Sequence, residues 1–123
     1  MPLQQYTVPT LTDAEWAYIA GIFDGEGYIG MVPVKRRNGE YAGFDVKIVV
    51  AQNDIRLLEY LQNRLGVGRI RDKKMVNVKK PVFDITINQR LAVFAILKMV
   101  RPYLIVKDRA AEKVLAYEKL NYS

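Results

Sequence analysis

No cysteine and no histidine occur in the 123 residues. The first absence removes disulfides, thiolate metal sites and thiol nucleophiles; the second removes the commonest general base and the commonest zinc ligand. Ser-His-Asp and Cys-His hydrolases are therefore excluded, as are zinc fingers. No apolar run approaches the ~18 residues that a membrane span needs. Neither end has the charged, apolar and small-residue succession of a secretory signal. A soluble intracellular chain is expected, in cytoplasm, nucleoid or organelle matrix, with no membrane partner. Basic side chains are missing from residues 1–34, whose only charges are Asp13, Glu15, Asp24 and Glu26.

A hydrophobic content of 50% with 26% charged residues suits one domain over 1–123 with its own core. Net charge is +6 and the pI about 9.6, a balance that favours a polyanionic partner without identifying one. The positive charge is concentrated in the middle: residues 31–80 hold twelve Lys and Arg against five acids, and residues 81–123 seven against four. A solvated charged face would give the same count, so pattern has to decide.

Thr12-Asp-Ala-Glu15 has capping-box spacing and opens a helix predicted to reach Asp24. Trp16, Ile19, Ala20 and Phe23 form one apolar face, and Ala17 and Gly21 a second, small-residue face. Gly25 and Gly27 are read as ending it. Strands are predicted over 28–35 and 44–51 around the turn-rich stretch 36–43, and over 67–72 and 82–87 around the basic stretch 73–80. Between the hairpins, Asn53 is the expected cap of a helix carrying Leu57, Leu58, Leu61 and Leu65, with Gly66 just past its end. Asn88 is the expected cap of a helix stopping before Pro102, and a last helix covers about 108–120. The order αββαββα(α) specifies an α+β domain whose antiparallel, saddle-shaped sheet is covered on one face. Ile29, Met31, Phe44, Val46, Ile48, Val50, Phe83, Ile85 and Ile87 are expected to face inward. Tyr28, Gly30, Val32, Val34, Asp45, Lys47, Val49, Ala51, Arg69, Arg71, Lys73, Val82, Asp84 and Thr86 fall on the open face.

The chemistry is concentrated in Ile19-Ala-Gly-Ile-Phe-Asp-Gly-Glu-Gly27. Small residues at Ala17, Ala20 and Gly21 allow another backbone to approach, and the two glycines bracket the Glu26 carboxylate at the helix end. Two such helices packed about a two-fold axis would bring both Glu26 side chains together. Paired carboxylates beside a polyanion repel without a cation, which points to Mg²⁺. The spacing alone also suits a Gly-rich helix end followed by an exposed Glu.

This segment resembles the LAGLIDADG motif, and residues 12–117 look like a single-motif LAGLIDADG homing endonuclease. The resemblance implies a homodimer that binds double-stranded DNA along a long near-palindromic site and hydrolyses both strands with Mg²⁺, with Mn²⁺ as a substitute and Ca²⁺ binding without turnover. It implies an intron-encoded protein. It makes Glu26 the acidic metal ligand with a backbone carbonyl from Gly25, and Asp24 a helix-capping residue. It puts Ala17, Ala20, Gly21 and Asp24 in the dimer interface. It also makes Gln52 a residue that orders active-site water, Arg56 a basic residue near the scissile phosphate, and Lys107 the catalytic lysine. The implied DNA contacts are Tyr28, Lys35, Arg37, Lys47, Arg69, Arg71, Lys73, Asp84 and Thr86. For Gln52, Arg56 and Lys107, the residues alone also suit a polar strand end, an exposed helix Arg and a lysine at a helix start.

One departure concerns the open face. Gly30, Val32, Val34, Val49 and Ala51 stand where a sequence-reading sheet uses polar side chains. Either base discrimination is relaxed there, or the register is slipped by one residue. The competing function is a non-catalytic descendant of the same fold, an RNA maturase or transcription regulator, which loss of the motif carboxylate would favour. A dimeric interaction domain is a third reading, against which the Arg69, Arg71, Lys73 alternation argues.

Overall fold

Helix α1 spans Asp13–Glu26 in the computed structural model, which describes residues 5–74 and 79–122. The Thr12 hydroxyl accepts the Glu15 N–H at 3.1 Å, as the capping spacing requires. The helix continues two residues past Asp24, because Gly25 stays helical and the stop comes at Gly27. There the backbone turns extended (φ −100°) and the N–H donates to the Phe23 carbonyl. A side chain would not fit at this corner, since a Cβ on Gly27 would lie 2.7 Å from the Phe23 oxygen. Glu26 is consequently the last helical residue and does not lie beyond the end.

Strand β1 (Gly27–Lys35) pairs antiparallel with β2 (Tyr41–Gln52), Gly27 facing Val50. β2 begins three residues before the expected Phe44. Gly39 turns the hairpin at φ +89° and donates its N–H to the Arg36 carbonyl at 2.9 Å. Helix α2 spans Ile55–Leu65. Its cap is Asp54, not Asn53: the Asp54 carboxylate accepts the Arg56 N–H at 3.0 Å, whereas the Asn53 N–H is held by the Gln52 side-chain oxygen at 2.9 Å. Gly66 closes α2 in the left-handed conformation (φ +70°).

β3 (Arg69–Asp72) and β4 (Phe83–Ile87) are shorter than expected. Residues 75–78 of the basic stretch between them lie outside the described residues. Helix α3 (Arg90–Val100) is preceded by Gln89 with no side-chain cap bond, so the expected cap at Asn88 is not used. A 3₁₀ turn, Arg101–Tyr103, leads to helix α4 (Asp108–Tyr122).

The sheet order is β1-β2-β4-β3, all antiparallel. One core lies between the sheet and the helices. Trp16, Ile19 and Phe23 of α1, Leu58, Leu61 and Leu65 of α2, Phe94 and Leu97 of α3 and Val114 of α4 close on Ile29, Val46, Ile48, Val50, Ile85 and Ile87. The inward parity is therefore as read, with Phe44 as the exception. It is 37% exposed at the rim of the core, edge-on to Tyr117 at 5.6 Å. Among the described residues no helix is long and apolar enough to cross a membrane.

Candidate active site and nucleic-acid interface

The last turn of α1 is electrostatically unusual. A helix C-terminus carries a partial negative charge and favours basic side chains, yet the last turn of α1 has no basic residue of its own and contains Asp24 and Glu26. The two carboxylates have different surroundings. Asp24 points back to its own chain and accepts the backbone N–H groups of Ile105 at 2.8 Å, Val106 at 3.0 Å and Lys107 at 2.9 Å. Desolvation pushes its pKa up, but these bonds outweigh that effect and hold it below the usual aspartate value. Asp24 thus caps the segment entering α4, with its carboxylate engaged within its own chain.

Glu26 is exposed and its carboxylate has no partner among the described residues. With Gly27 bonded to Phe23, the Gly25 carbonyl lies in the unpaired final turn of the helix. A free carboxylate, a free carbonyl and the negative end of a helix are the hard oxygen donors and the potential that a divalent cation takes. No group of three or more His, Cys, Asp or Glu residues able to hold a metal exists among the described residues. A single protomer therefore offers only part of a coordination shell.

The Asp24 clamp also determines where Lys107 sits. Its ammonium donates to the Asp24 carbonyl at 3.3 Å, which brings a positive charge to the end of α1, two residues from Glu26. Gln52 approaches the same end from the sheet, lying two residues beyond Val50, the ladder partner of Gly27. Gln52 and Arg56 line one open groove of about 500 Å³ with Tyr18, Asp54, Leu57 and Tyr60. Within it Arg56 is held by Asp54 through two side-chain bonds of 3.0 and 2.7 Å, and these bonds bring the Asp54 pKa down to about 2. Arg56 therefore already has an intrachain counter-ion. Tyr18, Asp54 and Tyr60 were not foreseen at this site. The Asp-x-Arg spacing of 54 and 56 was the available signal for Asp54, obscured by Asn53 as an equally good cap.

On the open face, the register removes the alternative of a one-residue slip. Tyr28, Val49, Thr86 and Arg69 form one row across all four strands, and Ala51, Asp84 and Arg71 another. Lys47, Arg69, Arg71 and Thr86 line a groove of about 570 Å³ with Val32, Asp45, Val46 and Asn88. Lys73 borders a smaller groove beside Arg71 and Asp84. Lys35 and Arg37 lie apart, on the β1–β2 hairpin tip. The expected DNA contact at Asp84 is corrected. This residue lies on the open face but is only 4% exposed, and its carboxylate is paired with Arg71 at 3.5 Å. Its place there is to orient Arg71.

The outer side of α1 presents Ala17 and Gly21, and a Cβ on Gly21 or Gly25 would meet nothing within 4 Å in the protomer. Ala20, expected on that interface, is instead fully buried in the protomer's own core, being one residue out of phase with Gly21 and packed on the side of Trp16 and Phe23.

The family model described as LAGLIDADG endonuclease matches residues 19–122. Among solved structures, the chain is similar to the homing endonuclease I-CvuI in complex with its target in the presence of 2 mM Ca. That match has 25% identity and a TM-score of 0.73, covering 89% of this chain and 69% of that one. The archaeal intron-encoded homing endonuclease I-Vdi141I, complexed with DNA, shares the fold at 22% identity and a TM-score of 0.68, over 88% and 67% of the two chains. The group I intron-encoded homing endonuclease I-CeuI, also complexed with DNA, does so at 19% and 0.71, over 97% and 59%. With most of its length matched by the family model and the motif at the end of α1, this chain belongs to the LAGLIDADG endonuclease family.

Proposed function

We propose that the protein is a homodimeric, Mg²⁺-dependent, site-specific DNA endonuclease of the homing type. The observation that carries this reading is the end of α1, where an unpartnered Glu26 carboxylate lies two residues beyond the Asp24 carbonyl that accepts from the Lys107 ammonium. Two such ends, related by the two-fold axis that the small-residue face of α1 suits, would complete the shell that one protomer lacks.

Glu26 and the Gly25 carbonyl would hold the cation. When bound, Mg²⁺ supplies charge neutralisation at the phosphate and lowers the pKa of the attacking water. Gln52 keeps its amide N–H₂ free to orient that water, since its side-chain oxygen is occupied by Asn53. The water oxygen attacks phosphorus in line and gives up its proton to solvent, the P–O3′ bond breaks, and the O3′ that leaves takes a proton from solvent to become the 3′-hydroxyl while the phosphate stays on the 5′ carbon of the next nucleotide. The Lys107 ammonium stabilises the negative charge that builds on the phosphate oxygens, and Arg56 approaches the backbone as a phosphate contact. Arg69, Arg71 and Lys47 along the open groove suit the major-groove edge, with Lys35, Arg37 and Lys73 as outlying backbone contacts. Retention of Glu26 favours cleavage over the non-catalytic maturase or regulator reading. The test is incubation of purified protein with a mixed duplex library and Mg²⁺, followed by sequencing of cut ends. A recurrent near-palindromic site supports the proposal, and absence of any cutting at a defined site overturns it.

A further inference from the structure

The open face has no side chain at Gly30. This residue is the ladder partner of Lys47, and its neighbours on the same side of β1, Val32 and Val34, bring no hydrogen-bonding group. The space above Gly30 is nonetheless occupied. The Tyr28 ring folds along the strand, so that a Cβ on Gly30 would run into the phenol oxygen and Cζ. The Lys47 ammonium approaches the same ring at 5.9 Å from its centroid. Tyr28 is 45% exposed, and neither its hydroxyl nor the Lys47 ammonium has a hydrogen-bond partner among the described residues. A phenol hydroxyl and an ammonium thus share the Gly30–Lys47 row.

We infer that Tyr28 takes the place of a side chain at Gly30 and, together with Lys47, selects a G·C pair at one symmetric pair of positions in the target. This inference rests on the endonuclease reading. An ammonium donates three hydrogen bonds and accepts none, whereas a phenol does one of each. In the major groove a G·C pair offers two adjacent acceptors, guanine N7 and O6, followed by the cytosine N4 donor. Lys47 satisfies the acceptors and the Tyr28 oxygen takes the donor. An A·T pair gives the ammonium only adenine N7, because the adjacent position is the adenine amino donor, which repels it, and the thymine O4 acceptor and methyl lie beyond its reach from N7. Gly30 is required because any Cβ would push the ring out of this position.

The experiment is selection of bound duplexes from a randomised library in Ca²⁺, with sequencing, for wild type, Tyr28→Phe, Lys47→Ala, the double variant and Gly30→Ala. Wild type is expected to enrich G·C at one mirror-related pair of positions. Each single variant should lower that preference roughly tenfold and leave other positions unchanged, and the double variant should fall further than either single one at that same position. Gly30→Ala should lose the same preference at near wild-type thermal stability, since only the mobile end of a side chain has to move. If the variants act at different positions, weaken all sequences uniformly, or act at a position that is not G·C, the inference is overturned while the endonuclease reading stands. If wild type enriches no sequence at all, both are overturned.

Discussion

Replacing Asp24 by Ala should uncouple Lys107, the proposed catalytic lysine, from the last turn of α1, where the cation is proposed to bind. The wild-type carboxylate accepts three backbone N–H bonds of 2.8–3.0 Å from residues 105–107. A hydrogen bond to a charged group contributes about 1.5–3 kcal/mol where it is protected from water. Because Ile105 and Val106 are exposed, water replaces much of what is lost, and a total of ~2–4 kcal/mol for the three is the reasonable expectation. In a chain of this size that lowers Tm by roughly 8–15 °C. Lys107 would then no longer be held at 3.3 Å from the Asp24 carbonyl, so cleavage should slow by more than tenfold with DNA affinity little changed. Asp24→Asn should fall between, because its side-chain oxygen keeps the Val106 and Lys107 bonds while its amide nitrogen confronts the Ile105 N–H. The pH dependence has a fixed sign. The folded pKa is depressed, so this stabilisation is fully present above the unfolded aspartate value of about 3.9 and is lost as pH falls through the folded one. The Tm gap between wild type and Asp24→Ala should therefore close in acid. Calorimetry at several pH values, with single-turnover cleavage at neutral pH, measures all of this. A variant that melts within a degree of wild type and cuts at the same rate would refute the clamp.

Gly21→Leu should leave the protomer folded, since its Cβ meets open space and Leu is a better helix former than Gly by ~1 kcal/mol. It should nevertheless halve the mass seen in sedimentation, and an unchanged dimer would remove α1 from the interface. DNA affinity should fall steeply with salt, because Lys and Arg contacts to phosphate release counterions, and Arg69→Ala should relax discrimination at particular base pairs by roughly tenfold. Uniform weakening across sequences would make Arg69 a phosphate contact. Leu61→Ala removes a fully buried side chain and should destabilise by ~2–5 kcal/mol through lost transfer energy and a cavity. A urea midpoint unmoved by that change would contradict the assigned core.

Local periodicity made most of the fold readable. The face formed by Trp16, Ile19, Ala20 and Phe23, the alternation from Ile29 to Val50 and the αββαββαα order all rest on spacing within single elements. What escaped the sequence depends on partners far along the chain. Asp24 meets residues more than eighty positions away, and Glu15 meets Arg64 across forty-nine. Asp84 faces the open side as its parity requires, yet it is 4% exposed and paired with Arg71 of the neighbouring strand, a cross-strand partner that spacing within one element does not show. Ala20 looked free for a partner because small residues suit both an interface and a tight core. At the caps, adjacent side chains of similar capability competed, and the role went to Asp54, whose carboxylate accepts both the Arg56 N–H and the Arg56 guanidinium. The family resemblance set Glu26 apart as a ligand and Asp24 as a cap, but that Asp24 caps the distant segment 105–107 and so holds Lys107 became visible only with the tertiary contacts.

The most direct measurement is a paired cleavage and binding series on Glu26→Gln, run in Mg²⁺ and in Ca²⁺ on a duplex that the wild type cuts. The substitution keeps the side-chain shape and removes the charge proposed to hold the cation. Cleavage in Mg²⁺ should be abolished while binding in Ca²⁺ stays at or above the wild-type level, because a negative charge facing phosphate is gone. Cutting by Glu26→Gln at the wild-type rate would contradict the assignment of the metal to the end of α1.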